Sequence, residues 1–153
     1  MDMIRRNTDY ALRIMLNLAK LYGKEAVSSR MLAEKEEVSY QLACKLMQKL
    51  NAAGLVKSQM GPKGGFSLSK DPSEITLAAI IKAIQGPVSV NNCLLGIEVC
   101  SRQPNCPINN KLTKLQEYID GFFSDVTLNQ LLESRSSKKE SNANKLKTFD
   151  ETP

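Results

Sequence analysis

The chain has 153 residues, a formal net charge of +5 and no histidine. A chain of this size buries about two thirds of its unfolded surface and so holds a core without disulfides, and no apolar run approaches the ~20 residues that cross a bilayer. The missing histidine excludes Ser–His and Cys–His nucleophile pairs and histidine-containing zinc sites, and no glycine-rich phosphate loop follows a strand, so the composition points away from an enzyme. The polar start, Met1-Asp2-Met3-Ile4-Arg5-Arg6, does not read as a secretory signal, and the expected location is the cytoplasm.

In chain order, Thr8 or Asn7 is expected to cap a first helix that runs to about Tyr22. Its apolar face is Leu12, Met15, Leu16 and Ala19, widened by Ile14, Leu18 and Leu21. Ser28 or Ser29 caps a short second helix to about Glu36, Val38-Ser39 forms the turn, and a third helix runs from about Tyr40 to Ala53. Its inner face is Leu42, Ala43, Leu46, Leu50 and Ala53, and Gly54 stops it. The stretches Leu55–Met60 and Phe66–Lys70 flank Gly61-Pro62-Lys63-Gly64-Gly65 and read as a hairpin, with Phe66 and Leu68 on its core side. Thr76 caps a fourth helix with Leu77, Ile80, Ile81 and Ile84 inward, broken by Gly86-Pro87. After a loop from Val88 to Cys106, Pro107 suits the first turn of a long helix striped by Leu112, Leu115, Ile119, Phe122, Phe123 and Val126. Thr127 caps a last short helix through Leu131 and Leu132, and a polar tail follows from about Ser134. The expected class is mainly α, a winged helix-turn-helix with a small β-hairpin wing and a long C-terminal dimerisation helix. The expected divisions are 1–86 for the DNA-binding unit, 87–107 for the cysteine loop, 108–133 for the dimerisation helices and 134–153 for the tail.

The charge is unevenly spread. From Val38 to Lys70 there are five lysines and no acidic residue, which suits a polyanion partner, although a solvated basic face has the same composition. In a helix-turn-helix the second helix enters the major groove. That places Ser39, Tyr40, Gln41, Lys45 and Lys49 toward double-stranded DNA: Gln41 to pair with a base edge, Lys45 and Lys49 to reach phosphate or guanine, and Tyr40 to pack on the backbone. Lys63 at the wing tip, beside Gly64, adds a phosphate contact with backbone N–H groups close by.

Cys93, Cys100 and Cys106 stand in a C-x6-C-x5-C pattern. Gly96, Pro104 and Pro107 keep that loop irregular, which leaves three thiols able to converge, and thiolates are the usual ligands of iron–sulfur clusters. Zinc would favour C-x-x-C pairs or Cys/His mixtures, a disulfide would leave an odd thiol, and inert cysteines are the plain alternative. Cys44 sits apart on the third helix as a small packing residue.

With these residues in view the chain resembles the Rrf2 family of bacterial winged-helix regulators, from about Met3 to Leu132. The resemblance rests on Thr8-Asp9-Tyr10-Ala11-Leu12-Arg13, Ala53-Gly54-Leu55-Val56, Gly61-Pro62-Lys63-Gly64-Gly65-Phe66, Ile75-Thr76-Leu77 and Val126-Thr127-Leu128, together with the cysteine loop. It implies a homodimer with paired C-terminal helices, each head reading half of a palindromic operator, and a cluster near the dimer interface that senses redox, nitric oxide or iron status. Some cluster-binding members carry a histidine three residues after the third cysteine, where this chain has Asn109. They also differ at Cys44 and Met60, so another operator is implied. The missing histidine shifts the expectation toward a four-iron rather than a two-iron cluster. Three thiolates leave one iron site for another ligand, and in some members an aspartate at the place of Asp9 supplies it from the partner subunit. Asp9 as a helix-start residue only, or Glu98, Asn109 or solvent as ligand, are the alternatives. A cluster-free regulator that responds through thiol oxidation or a bound protein or metabolite is the other functional reading.

Overall fold

Apolar residues three and four apart fold the N-terminal part into α1 (Arg6–Lys20), α2 (Ser29–Glu36) and α3 (Tyr40–Ala52). The computed structural model describes residues 2–95 and 105–134 of the chain. α1 buries Ala11, Ile14, Met15, Leu18 and Ala19. Its start differs from the expected cap: Arg5 is the N-cap, without a side-chain hydrogen bond. Thr8 is fully buried, and its hydroxyl donates to Gln85 Oε1 at 2.6 Å. A threonine hydroxyl with a partner inside the fold is not available to cap. α2 and α3 start as expected, with Ser28 Oγ accepting from the Met31 N–H and Ser39 Oγ from the Leu42 N–H, each at 3.2 Å. Glu37, in the left-handed region at φ 54°, turns the chain between them. α3 buries Ala43, Leu46, Met47 and Leu50. Met47 takes the place expected of Ala53, which follows the helix end and lies exposed.

The wing is an antiparallel pair, β1 (Val56–Gln59) and β2 (Gly65–Leu68), in the register Val56↔Leu68 to Gln59↔Gly65. Val56 and Leu68 are buried. Val27, from the α1–α2 connection, pairs with Phe66 as a third short partner, through hydrogen bonds of 2.9 and 2.8 Å. This pairing explains Gly65: a Cβ there would lie 2.4 Å from the Val27 carbonyl oxygen.

Asp71 caps a single 3-10 turn, Pro72–Glu74, and Thr76 Oγ1 accepts from the Ala79 N–H to start α4 (Leu77–Gln85). Ile75, Ile80 and Ile84 join α1 and α3 in one core. Gly86 ends α4 at φ 83°. The last long helix, α5 (Pro107–Asp125), begins at the expected proline and packs beside α4. None of its residues is buried. Leu112, Ile119 and Phe123 are half-buried, and Ile108, Leu115, Tyr118 and Phe122 are exposed. The chain then returns to the core. The Leu77 N–H donates to Val126 O at 2.9 Å, and the Leu128 N–H to Ile75 O at 3.0 Å. Leu128 is fully buried in the same core as α1 and α4, and Leu131 and Leu132, in a helical segment over 128–134, pack against it. Among the described residues no helix is long and apolar enough to cross a membrane.

Candidate nucleic-acid interface and cysteine site

α3 presents Tyr40, Gln41, Lys45 and Gln48 to solvent. Gln41, Lys45 and Gln48 are four and three apart, so they stand on one ridge of the helix. Tyr40 is 55% exposed, and the Arg30 guanidinium lies 5.9 Å from its ring centroid, within cation–π range. A side-chain hydrogen bond with Cys44, more than any other cause, holds the Tyr40 phenol above its ordinary pKa against the pull of Arg30. The ring therefore presents a neutral hydroxyl at physiological pH. Arg30 is a further cation beside this ridge that the sequence reading missed. It lies on α2, outside the acid-free stretch, and only the packing of α2 on α3 brings it to Tyr40.

Lys49 is placed differently from Lys45. Its Nζ donates to the Ile84 carbonyl of α4 at 3.0 Å, although the residue as a whole is exposed. On the wing, Lys63 and Met60 are exposed at the tip. The Gly64 N–H donates to Gly61 O at 2.9 Å, closing the turn, and a Cβ at Gly64 would lie 2.4 Å from the Gln59 carbonyl oxygen. Gly64 thus shapes the tip, while its own N–H is committed to the turn.

Asp9 is exposed in the first turn of α1, 3.8 Å from Arg13. Arg13 also donates through Nε to Glu36 at 2.7 Å, and Asn17 Nδ2 donates to the same carboxylate. Glu36 is buried, so this group of three ties α1 to α2. The guanidinium groups of Arg6 and Arg13 each lie 5.7 Å from the Tyr10 ring centroid.

Two of the three loop cysteines are described, one as the cap of α5 and one bonded to its first turn. Cys106 is the N-cap residue of that helix. Cys93, in a 3-10 turn over Asn92–Leu94, accepts a hydrogen bond from Asn109 Nδ2 at 3.5 Å. The loop before them is pinned to α5 by Gln116, which accepts the Val90 N–H at 2.8 Å and donates to Val88 O and Asp120 Oδ1, both at 2.9 Å. The Asn109 amide supplies a hydrogen-bond donor to the Cys93 sulfur. Cys100 and Glu98 lie outside the described residues. Among those described, no three metal-binding side chains group together. Cys44 lies on α3 and Asp9 in the first turn of α1.

Comparison with known proteins agrees with this architecture. The family model described as an iron-dependent transcriptional regulator, Rrf2, matches residues 4–134. The HTH-type transcriptional regulator IscR of Serratia proteamaculans is 32% identical over 126 residues, covering 82% of this chain and 76% of that protein. A putative HTH-type transcriptional regulator of Haemophilus influenzae is 31% identical over 132 residues, covering 86% and 87%. Among solved structures, CymR, described as the global cysteine regulator of B. subtilis, superposes with a TM-score of 0.74 at 30% identity, covering 88% of this chain and 98% of that one.

Proposed function

The chain belongs to the Rrf2 family of DNA-binding transcriptional regulators and is not an enzyme, and from that premise we propose that it is a homodimeric sensor in which an iron–sulfur cluster controls binding to a palindromic operator. The observation that carries the sensing part is the placement of Cys106 as the N-cap of α5 and of Cys93 beside the first turn of the same helix, where Asn109 donates to its sulfur. That donor set suits a cluster: soft thiolates, with Cys100 in the loop between. Cys93, Cys100 and Cys106 would hold it, with Asp9 of the partner subunit as the fourth ligand. A bound cluster supplies an iron site sensitive to nitric oxide, oxygen and iron supply. The residues of the chain do the rest. Asp9, exposed and 3.8 Å from Arg13, can give up that ion pair to act as a ligand across the dimer. The exposed Ile108, Leu115, Tyr118 and Phe122 supply the apolar face along which two α5 helices pair. Each head then offers Gln41 to a base edge, Lys45 and Lys63 to phosphate, and Ser39, Tyr40 and Gly64 as the shape of the contact.

The test is anaerobic purification followed by visible absorbance and native mass spectrometry. A coloured dimer whose mass includes iron and sulfide supports the reading; a colourless dimer of apoprotein mass that still binds DNA overturns the cluster. The similarity to a structure described as a global cysteine regulator favours a second reading, in which the same fold works without a cluster and the loop thiols or a bound protein or metabolite carry the signal. That reading predicts the colourless outcome, together with DNA affinity that responds to thiol oxidants.

A further inference from the structure

α4 ends where three parts of the molecule meet. Its last-turn carbonyls lack in-helix donors and lie at the negative end of the helix dipole, and the Lys49 ammonium from the last turn of α3 sits on one of them, Ile84 O, at 3.0 Å. The next residue, Gln85, holds the start of α1. Its Oε1 accepts the Arg5 N–H at 3.0 Å and the Thr8 hydroxyl at 2.6 Å, and its Nε2 donates to Met3 O at 2.9 Å. Gly86 follows at φ 83°, then Pro87, and then Val88 and Val90, which Gln116 fastens to α5 just before Cys93. One helical turn therefore touches the reading helix through Lys49, the segment bearing Asp9 through Gln85, and the cysteine-bearing loop through the backbone.

We infer that the C-terminal turn of α4 couples the cysteine loop to the DNA-reading helix, with Lys49 and Gln85 as positioning residues that contact neither DNA nor the sensing group. The inference rests on the sensing reading above for its biological sense, but the mechanical link is independent of it. If the loop after Gly86 moves, the Ile84 carbonyl moves with it, and α3 either follows through Lys49 or loses that bond. Interfaces of this kind have discrete arrangements that two sites can bias. The rival role for Lys49 is a phosphate contact, and the two roles differ in salt dependence. Each lost phosphate contact lowers the slope of log affinity against log salt by about 0.9; a positioning residue leaves the slope unchanged.

The experiment uses the full-length dimer on its operator, in its anaerobic state and after reaction with a nitric-oxide donor or a thiol oxidant. Lys49→Met keeps the aliphatic stem and removes the donor. It is expected to weaken DNA binding about two- to tenfold, the range of one lost hydrogen bond, with the salt slope unchanged and the affinity ratio between the two states reduced toward one. Lys49→Arg, which restores a donor, is expected to recover the ratio. Lys45→Met should do the opposite, lowering the slope and keeping the ratio. A Lys49→Met variant with a lowered slope and an intact ratio overturns the inference. Hydrogen exchange tests the link without any signal. Gln116→Ala, which frees the loop from α5, should raise exchange at the last turn of α3 in protein with Lys49 and leave it unchanged alongside Lys49→Met. Equal effects in both backgrounds overturn the coupling whatever the cysteines sense. Failure of the sensing reading shows differently, as wild-type affinity indifferent to the cysteine state.

Discussion

Replacing Leu128 with alanine should destabilise the common core of α1, α3 and α4, not only the segment that follows α5. Leu128 is fully buried and shares a core with Met15, Ile75 and Ile80, and its N–H is fixed to Ile75 O at 3.0 Å. Leucine-to-alanine changes at such sites cost ~2.7–5 kcal/mol, less where the surroundings collapse into the space. Where neighbouring side chains partly collapse into the space the cost falls, so the expected loss is about 3 kcal/mol, at the low end of that range. Against a domain stability of roughly 5–15 kcal/mol this is a large fraction. The assay is urea unfolding by circular dichroism at several protein concentrations, with Leu115→Ala as the comparison. Leu115 is 45% exposed on α5, and an exposed truncation in a monomer stays within about 0.5 kcal/mol. In a dimer that covers this face, Leu115→Ala should instead raise the dissociation constant, lower the midpoint at concentrations where the wild type is dimeric and flatten its concentration dependence. A Leu128→Ala loss below about 1 kcal/mol with an unchanged m-value refutes the core role of that segment. A Leu115→Ala protein with wild-type self-association refutes the pairing of α5.

On DNA, Lys63→Ala should lower the salt slope by about 0.9 while Gln41→Ala changes which site is preferred; an unaltered slope and affinity for Lys63→Ala would take the wing off the duplex. Cys93, Cys100 and Cys106 should each be required for colour in the anaerobic protein and Cys44 should not, so a colourless Cys44→Ser with a coloured Cys100→Ala sinks the ligand assignment. Asp9→Ala should shift the absorbance spectrum and speed the reaction with nitric oxide. If spectrum, rate and DNA affinity are all unchanged, Asp9 is only a first-turn charge, worth about 0.3–1 kcal/mol at a helix start.

What was legible in the sequence depended on interactions that close within a few residues. Ser28, Ser39 and Thr76 each bond an N–H three residues on, Pro107 opens α5 and Gly86 ends α4, and these local preferences do not depend on the rest of the fold. The hairpin was equally readable, because its turn and its alternation lie in one short stretch. The outward ridge of α3 followed from helical period alone, so Gln41 and Lys45 were identifiable as solvent-facing residues. The tertiary structure decided the groups with a choice of distant partners. The Thr8 hydroxyl goes to Gln85 instead of capping α1, Lys49 turns to Ile84, Val27 becomes a third partner of the wing, Arg30 stands over Tyr40, and Leu128 returns to the core. The thiol pattern in the cysteine loop was visible from spacing, but only the packing of that loop against α5 brings Asn109 to Cys93. A long side chain or a strand edge can satisfy itself locally, in solvent or across the fold at similar cost, and the competition is settled by which elements the buried apolar faces bring together.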